Sequence, residues 1–221
     1  FQAEDGIRDC LLSRGLGDVY KRQALNAPTQ TTSSADVTFK LPVADGTAGQ
    51  VLKTDGSGNL SWGNDSGVIL QVKQTVKTDQ FTSTAYDYTD ITGMSISITP
   101  SSASNKILVS FELQAGGQAN NYASFRLLRD STHIGVSTAT NTNWRIGTLG
   151  GLSHENSYQL ENTGTSFLDS PNTTSAITYK LQVSTYTGRT VSINQPTSTS
   201  QAANSYTATG ISTITVMEVA A

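Results

Sequence analysis

The two histidines of the chain, His133 and His154, are the first residues to consider for catalysis. The GLSHE stretch around Ser153 and His154 approximates a G-x-S-x-G nucleophile elbow. However, Glu155 replaces the closing glycine, and no strand-turn-helix pattern surrounds the serine. His154 and Glu155 are also too few to hold a metal ion, and neighbouring residues of a strand point to opposite faces. The pattern therefore predicts neither a catalytic serine nor a metal site.

Two carboxylates, Asp130 and Asp169, could in principle form the acid and base pair of a glycosidase. Each also has a local explanation, because Asp130 opens the stretch DSTH and Asp169 precedes Ser170 and Pro171, both of which are typical of turns. We favour the turns, and we expect no enzymatic activity and no cofactor. A polysaccharide depolymerase with its site between subunits stays open as an alternative.

Aromatic and arginine side chains in polar loops are better candidates, and the function they favour is binding. They are Trp144, Arg145, Tyr158, Tyr186 and Tyr206. A sugar ring can stack on such an aromatic face while neighbouring amides bond to its hydroxyl groups. The alternative for each residue is that it covers the end of the fold or fills a subunit interface.

The composition favours strands and excludes two classes of partner. Only 14% of residues are charged, against about 25% in an average soluble protein, while 32 Thr and 27 Ser supply polarity. Such residues suit pleated strands better than surface helices. The net charge of −3 leaves no basic patch for phosphates, and no apolar window approaches the roughly 18 residues of a membrane span. We expect an all-β chain that neither binds nucleic acid nor inserts into a membrane.

Residues 1–23, FQAEDGIRDCLLSRGLGDVYKRQ, differ from the rest in holding four acids and four bases. They resemble the translated read-through of a sequencing adapter in metagenomic assemblies, which implies that they belong to no fold. We leave them, with the single cysteine Cys10, out of the functional argument. Because the chain begins at Phe1 and has no methionine before Met94, we also expect that the true N-terminus is missing.

Residues 24–66 contain a short repeat, in which the Asp-Gly pair at Asp45 recurs ten residues later at Asp55. Asp-Gly is typical of a tight turn because glycine adopts positive φ without a steric penalty. The stretch is too short and too polar to bury a core of its own. We therefore expect a turn-rich stalk that becomes ordered only by winding against identical copies.

A calcium loop is the functional alternative for this stalk, because Asp55, Ser57 and Asn59 alternate as oxygen ligands. Leu60 stands where such a loop requires glycine, and no glutamate closes the loop. We favour the turn. The stretch LPVADGTAGQVLKTDGSGNLSW resembles a segment that recurs in tail-fibre and other virion proteins of tailed bacteriophages, just before a distal domain.

Residues 67–221 show apolar residues at every second position in eight to ten segments, with no convincing helix. That number of strands predicts an antiparallel β-sandwich or jelly roll. In the first segment we expect Leu70, Val72 and Val76 on the buried face and Lys73 and Lys77 on the wet face.

Two of these segments, at 94–98 and 107–113, are separated by Pro100 and the loop SSASN, and they predict a hairpin. The last segment, ISTITVMEVA, is strongly apolar, and we expect its strand to lie inside a sheet rather than at an edge. Further strands are expected through Phe125 and Leu127, through Tyr179 to Val183, and through Val191 and Ile193.

Five pieces of this region resemble a domain at the C-termini of phage fibre proteins: ITGMSISITPSSASNKILV, FRLLRD, SFLDSP, TYKLQV and STITVMEVA. Its architecture is similar to the trimeric jelly-roll heads of the tumour-necrosis-factor type, which is a fold-level analogy. The resemblance implies a homotrimer in which a short stalk carries a jelly-roll head.

Together these patterns predict a virion structural protein, the distal head of a tail fibre that attaches to the host surface. The partners implied are two further copies of the chain, a host cell-surface glycan or protein, and other tail proteins joined through the missing N-terminus. Three heads on one fibre bind repetitive glycans through high effective concentration, even where each contact is weak. A secreted bacterial adhesin head of similar fold is the alternative.

Overall fold

A computed structural model describes residues 39–64, 68–138, 146–198 and 208–221 of the chain. Within these ranges the secondary structure is entirely β-strand. The strands are β1 (Gln50–Thr54), β2 (Leu60–Asn64), β3 (Ile69–Lys77), β4 (Phe81–Ser83), β5 (Thr89–Ile98), β6 (Lys106–Gly117), β7 (Asn121–Arg129), β8 (Thr132–Ile134), β9 (Leu149–His154), β10 (Leu160–Asp169), β11 (Ile177–Ser184), β12 (Val191–Ile193) and β13 (Ser212–Val219). The described residues include no helix that could cross a membrane.

The described chain falls into two compact units, one of residues 39–43 and 53–61 and one of residues 44–52 and 62–221. In the first unit, a turn is organised by Asp55. Its Oδ1 accepts hydrogen bonds from the backbone amides of Ser57 and Asn59, at 2.8 and 3.1 Å, and its Oδ2 accepts one from Asn59 Nδ2 at 2.6 Å. These bonds, the one from the Asn59 side chain first, lower the pKa of Asp55. Gly56 has φ of +79°, so the predicted Asp-Gly turn is confirmed here.

The first Asp-Gly pair behaves differently, and the prediction of a tight turn at Asp45 is wrong. The turn lies a few residues later, where Gln50 N donates to Thr47 O at 3.1 Å and Gly49 has φ of +87°. Gly46 is needed for another reason, because a Cβ there would lie 2.6 Å from the indole ring of Trp62. The repeat in sequence is therefore not a repeat in structure.

The larger unit contains two antiparallel sheets that form a sandwich. The β6 sheet has β6 at its centre, with β10 on one side, β13 and β12 in line on the other, and β3 and β4 outside them. The β7 sheet has β11 and then β5 on one side of β7, and β8 and β9 in line on the other. Four of the pairings are nested in chain order, β3 with β13, β5 with β11, β6 with β10 and β7 with β9, which is the jelly-roll pattern. The predicted all-β, antiparallel fold is confirmed.

The core lies between the two sheets and follows the period-two pattern. Ile107, Val109, Phe111 and Leu113 alternate along β6 with side chains that face outward, and all four are buried. The opposing face is supplied by β7, β11 and β5, with Phe125 and Tyr179 among the largest buried side chains. Burying each such side chain stabilises the fold by about 1.5–3 kcal/mol. β13 lies between β3 and β6, which confirms that the last strand is internal.

The hairpin predicted from residues 94–98 and 107–113 does not form. β5 pairs with β11 in one sheet, and β6 pairs with β10 and β13 in the other, so the loop between them crosses the sandwich. Alternation shows that each strand has one buried face, but it does not identify the strand's hydrogen-bonding partner. Two strands facing each other across a core have the same pattern as two strands side by side.

The orientation predicted for β3 is also wrong, because Leu70, Val72 and Val76 are exposed. The polar positions of β3 face β5, which lies at the open edge of the other sheet. Three of them donate to successive outward carbonyls of that edge: Gln71 Nε2 to Thr99 O at 2.8 Å, Lys73 Nζ to Ser97 O at 3.2 Å, and Thr75 Oγ1 to Ser95 O at 3.0 Å. Carbonyls without a strand partner need donors, and these side chains supply them.

Lys77 completes this inward row and is buried. Its Nζ lies 2.9 Å from Asp79 Oδ1, and this hydrogen bond lowers the pKa of the Asp79 carboxyl. Lys73 is exposed, as predicted, whereas the prediction for Lys77 is wrong because this residue is buried at the end of the row that faces β5.

Glu218 on β13 is buried and ties the loop between β5 and β6 to the sheet. Its Oε1 accepts hydrogen bonds from Ser101 N, Ser101 Oγ and Asn105 Nδ2 at 2.6–2.7 Å, and its Oε2 accepts one from Gln71 Nε2 at 2.5 Å. Burial alone would raise the pKa of Glu218, but the four donors together lower it to about 2. The loop is thus held by a single ionised side chain.

Asp169 and Asp130 have different roles from each other. Asp130 is a turn residue as predicted, with φ of +54° and its Oδ1 accepting from Thr178 N at 2.9 Å.

The turn assigned to Asp169 is wrong, because this residue is buried at the end of β10. It accepts two hydrogen bonds from Arg129 Nη1 at 2.8 Å and one from Tyr179 Oη at 2.7 Å, and so joins the β6 sheet to the β7 sheet. Burial raises the pKa of Tyr179, so its hydroxyl stays a donor to Asp169.

Deleting residues 211–221 removes β13 and leaves β3 and β6 without the strand between them. We expect this truncation to lose cooperative unfolding, measured by circular dichroism during heating, because a core strand is lost rather than a loose tail. A control lacking only Ala220 and Ala221 should melt cooperatively. A truncated chain that is soluble and melts in one sharp transition would show that β13 is dispensable.

Glu218 predicts a dependence of stability on acid. Its folded pKa of about 2 is below the usual 4.5, so its contribution is complete above pH 4.5 and is lost as the pH falls toward 2. The size is about 3 kcal/mol, since each pKa unit corresponds to about 1.4 kcal/mol. The Glu218→Gln variant should lack this part of the pH dependence of the free energy of unfolding, measured in urea between pH 6 and 2.5. Equal slopes for the two proteins would contradict the assignment.

Candidate functional site

The five residues predicted for binding divide into two groups. Trp144, Arg145 and Tyr206 lie outside the described residues. Tyr158 lies half-buried in the turn between β9 and β10, and Tyr186 lies exposed in the loop between β11 and β12. Of the two, Tyr186 is the one that belongs to an aromatic surface.

The position of Tyr186 is fixed by Asn121, which begins β7 and is fully buried. Asn121 Oδ1 accepts hydrogen bonds from Thr185 Oγ1 at 2.6 Å and from Tyr186 N at 3.2 Å. Its Nδ2 donates to Thr190 O at 3.2 Å. One amide therefore holds both ends of the loop that carries Tyr186, so the ring is presented from a fixed backbone.

Tyr122 follows Asn121 on β7 and packs against Tyr186. The two ring centroids are 6.5 Å apart and the rings lie at 79°, the edge-to-face arrangement that aromatic pairs prefer. Tyr122 is 52% exposed and Tyr186 is 53% exposed. About half of each ring is available to a ligand, although the pair is held by its own contact and by the Asn121 bonds.

Tyr88 and Arg126 extend this surface along β7. The Arg126 guanidinium lies 3.6 Å from the centroid of the Tyr88 ring, a cation–π contact. At the far end of the ring, Tyr88 Oη shares a hydrogen bond with Ser124 Oγ at 2.7 Å. Residues 122, 124 and 126 all point away from the core, since side chains alternate along a strand. We call Tyr88, Tyr122, Tyr186 and Arg126 the tyrosine patch.

The charges around the patch are mostly paired. Asp90 on β5 accepts from Lys180 Nζ at 2.8 Å and from Gln182 Nε2 at 2.7 Å, and the Lys180 bond lowers the pKa of Asp90. His133 on β8 shares a hydrogen bond with Thr148 Oγ1 at 3.1 Å. Burial, and then the nearby charge of Arg126, lowers the pKa of His133, so it is neutral at pH 7. The surface combines aromatic faces, amides and hydroxyls with two arginines that no described carboxylate pairs, Arg126 and, three residues after Tyr186, Arg189.

Sequence reasoning missed Tyr88, Tyr122 and Arg126. A signal existed for two of them, because placing Phe125 inward on a strand places Tyr122, three residues earlier, and Arg126 outward. No local signal marks Tyr88, whose partner Ser124 is 36 residues away.

The outer face of the β6 sheet has a different character. One row of aligned residues crosses four strands, from Leu168 on β10 through Leu108 on β6 and Met217 on β13 to Val72 on β3. Leu168 and Val72 are exposed, and the two middle residues are half-buried. We call this set the apolar row. Contiguous exposed apolar surface on a protein is typical of an interaction surface.

The residues considered for catalysis do not converge. His154 is 1% exposed, and its Nε2 lies 3.2 Å from Ala115 O. Ser153, its neighbour on β9, is exposed on the other face of the sheet. Among the described residues, no three His, Cys, Asp or Glu side chains lie close enough together to hold a metal ion.

The comparison with known proteins identifies no family for this chain. No family model and no curated protein matches the chain. Among solved structures it is similar to the infectious bursal disease virus Gt strain (14% identity, TM-score 0.39, covering 77% of this chain and 42% of that one) and to a mutant VP2 protein of that virus from T=1 particles (13%, 0.38, 73% and 39%). For the VP2 subviral particle of the same virus the sequence identity is 12% and the TM-score is 0.35, over 73% of this chain and 40% of that one. The chain spans about two fifths of the length of these proteins.

From the three hydrogen bonds of the Asn121 side chain we expect a specific response to mutation. Asn121→Ala removes three hydrogen bonds and leaves buried partners unpaired, so we expect unfolding to become easier by about 2–3 kcal/mol. Amide hydrogen exchange in residues 185–190 should rise as well. Asn156→Ala is the control, because Asn156 makes only a 3.4 Å bond to Gln159 among the described residues. Unchanged exchange in the loop would show that Asn121 does not fix it.

Proposed function

We propose that this chain is the distal part of a virion appendage, a phage tail-fibre head that attaches to the host surface through glycans. The observation that carries the attachment is the tyrosine patch. Exposed rings of Tyr122 and Tyr186 offer stacking faces for sugar rings, and the amides and hydroxyls beside them suit sugar hydroxyl groups. Fixed aromatic side chains lose little conformational entropy on binding, which favours this use.

The virion assignment is supported by the sequence resemblance of the stalk and of the C-terminal region to phage fibre proteins. A secreted bacterial adhesin head would use the same patch in the same way. Neighbouring genes distinguish the two proposals, since capsid and baseplate genes accompany the first and secretion genes the second. A depolymerase is the third candidate, and new reducing or unsaturated ends after incubation with a polysaccharide would favour it over both.

We further propose that the functional form is a homotrimer in which the apolar row faces the neighbouring copies. This arrangement removes Val72 and Leu168 from water and leaves the opposite sheet, with the tyrosine patch, facing outward. Three patches on one particle then act together, so each can bind weakly. No charge stands in the row itself, which favours close packing against a second apolar surface.

Binding is tested with an array of bacterial surface polysaccharides and the chain of residues 24–221. The double variant Tyr122→Ala with Tyr186→Ala should lose at least about ten-fold in apparent affinity, or about 1.4 kcal/mol, because both stacking faces are removed. Tyr158→Ala is the comparison, since Tyr158 lies outside the patch. If binding depended on Tyr158 and survived the double variant, the patch would not be the attachment site.

Assembly is tested by sedimentation of the same chain. We expect a species of three times the chain mass, which is 23.4 kDa for the full sequence. Val72→Asp should dissociate it, because a carboxylate buried in an apolar contact has no partner. Gln74→Glu, on the same outer face of β3, is the control for added charge. A monomer that persists at high concentration would remove the basis for avidity.

A further inference from the structure

Arg126 is the one feature of the tyrosine patch that neither stacking nor neutral hydrogen bonding explains. Its guanidinium is held in place by two contacts, the Tyr88 ring at 3.6 Å and the bond from Nε to Ile146 O at 3.0 Å. The Tyr88 ring is itself fixed at its other end by Ser124. The planar group is therefore positioned before any ligand arrives, and its terminal nitrogens are not used in either contact.

No carboxylate of the described residues pairs with Arg126. The three ion pairs within these ranges join Lys77 to Asp79, Arg129 to Asp169 and Lys180 to Asp90. The acid on the same face of the sheet, Asp90, lies two strands away on β5 and already receives bonds from Lys180 and Gln182. His133 is close enough to Arg126 for the arginine charge to act on it. It is neutral because burial and then that charge lower its pKa. The patch thus contains one positive charge without a protein counter-charge among the described residues.

Arg126 and Tyr122 are separated on the outer face of β7 by Ser124, which is 5% exposed and bonded to Tyr88 Oη. The two residues are four positions apart on one face of β7, which is about 13 Å at roughly 3.3 Å per residue. Midway, Ser124 is opposed by a bulge of β9 that contains Gly150 and Gly151, both exposed. A Cβ on Gly150 would have nothing within 4 Å, and one on Gly151 would meet only Ala123 O, at 3.8 Å. Within the described part of the chain, these two glycines leave room over β9 for an extended ligand.

We propose that Arg126 binds the carboxylate of an acidic sugar, in a glycan that extends along β7 to Tyr122 and Tyr186. The inference rests on the proposed attachment function and names its ligand class. A guanidinium presents parallel N–H donors that match the two oxygens of a carboxylate, which a compact ammonium does not. The tyrosines bind the neighbouring rings by stacking, and the exposed glycine bulge leaves space over β9, beside buried Ser124.

The test measures the affinity of residues 24–221 for three soluble probes by calorimetry. They are a tetrasaccharide of alternating glucuronic acid and N-acetylglucosamine, the same tetrasaccharide with its carboxylates reduced to alcohols, and a glucose oligosaccharide carrying a 6-phosphate. We expect the acidic tetrasaccharide to bind at least about ten-fold more tightly than the reduced one, as for a charge-assisted hydrogen bond. Stronger binding of the phosphate probe would overturn the carboxylate assignment.

Variants then locate the preference. Arg126→Gln should abolish the difference between the acidic and reduced probes, and Arg126→Lys should retain only part of it. Lys106→Gln makes the same change in net charge on the β6 sheet, where Lys106 is exposed, and should leave the difference intact. Gly151→Leu should weaken binding of both the acidic and the reduced probe, because its side chain occupies the space over β9 while its Cβ fits the fold. Melting curves show that each variant is folded.

The outcomes separate this inference from the proposed function. Equal affinity for acidic and reduced probes, or a preference that survives Arg126→Gln, would overturn the role of Arg126 while attachment through the tyrosines stands. If the wild-type chain bound none of the three probes but still bound polysaccharides on the array, the acidic-sugar subsite would also be wrong. Failure to bind any array polysaccharide would remove the proposed function itself.

Discussion

The sandwich depends on how its first strand, β3, binds the unpaired edge of β5 in the other sheet. β5 ends one sheet and exposes carbonyls with no strand to pair with, so these carbonyls can accept hydrogen bonds from side chains of another element. Gln71, Lys73 and Thr75 of β3 reach across from the other sheet and donate to three of them in turn. With its polar side chains committed inward, β3 must present Val72 outward. The exposed end of the apolar row therefore follows from the way the sandwich closes.

The same constraint explains why β13 is central. β13 holds β3 in register against β6, and Glu218 from this strand binds Gln71 together with the loop that crosses between the sheets. Gln71, which lies at one end of the row of β3 side chains that bind β5, is thus linked to the last strand through the ionised carboxylate of Glu218. Arg129, Asp169 and Tyr179 make the corresponding link on the other side of the core, between β7, β10 and β11. Each polar link fixes the position of one sheet relative to the other, which apolar contacts alone do not do.

The alternation of residues predicted the fold class, the strands and the internal place of β13, because a strand buried on one face leaves that pattern in any sandwich. It failed for β3, where the buried face is polar and the apolar face is exposed, since the pattern identifies two faces but not which one meets the core. It also failed for the supposed hairpin of β5 and β6, because pairing is decided by partners distant in sequence. The candidate site was predictable only in part. Loop composition indicated Tyr186, whereas Tyr122 and Arg126 lie on a strand and Tyr88 joins them through a long-range contact.

The two outer faces of the molecule suggest a division of roles that the inner face makes possible. The core buries only one face of each sheet, so the side chains on the other face can differ without changing the core. On the β6 sheet one row of that side, the apolar row, is apolar across four strands, and apolar surface gains most by contacting another copy. On the β7 sheet it carries fixed tyrosines and a cation, which gain by contacting a wet, polar ligand such as a sugar. In the proposed trimer, built through the first face, the second face turns outward three times, so the proposed assembly and attachment use different surfaces.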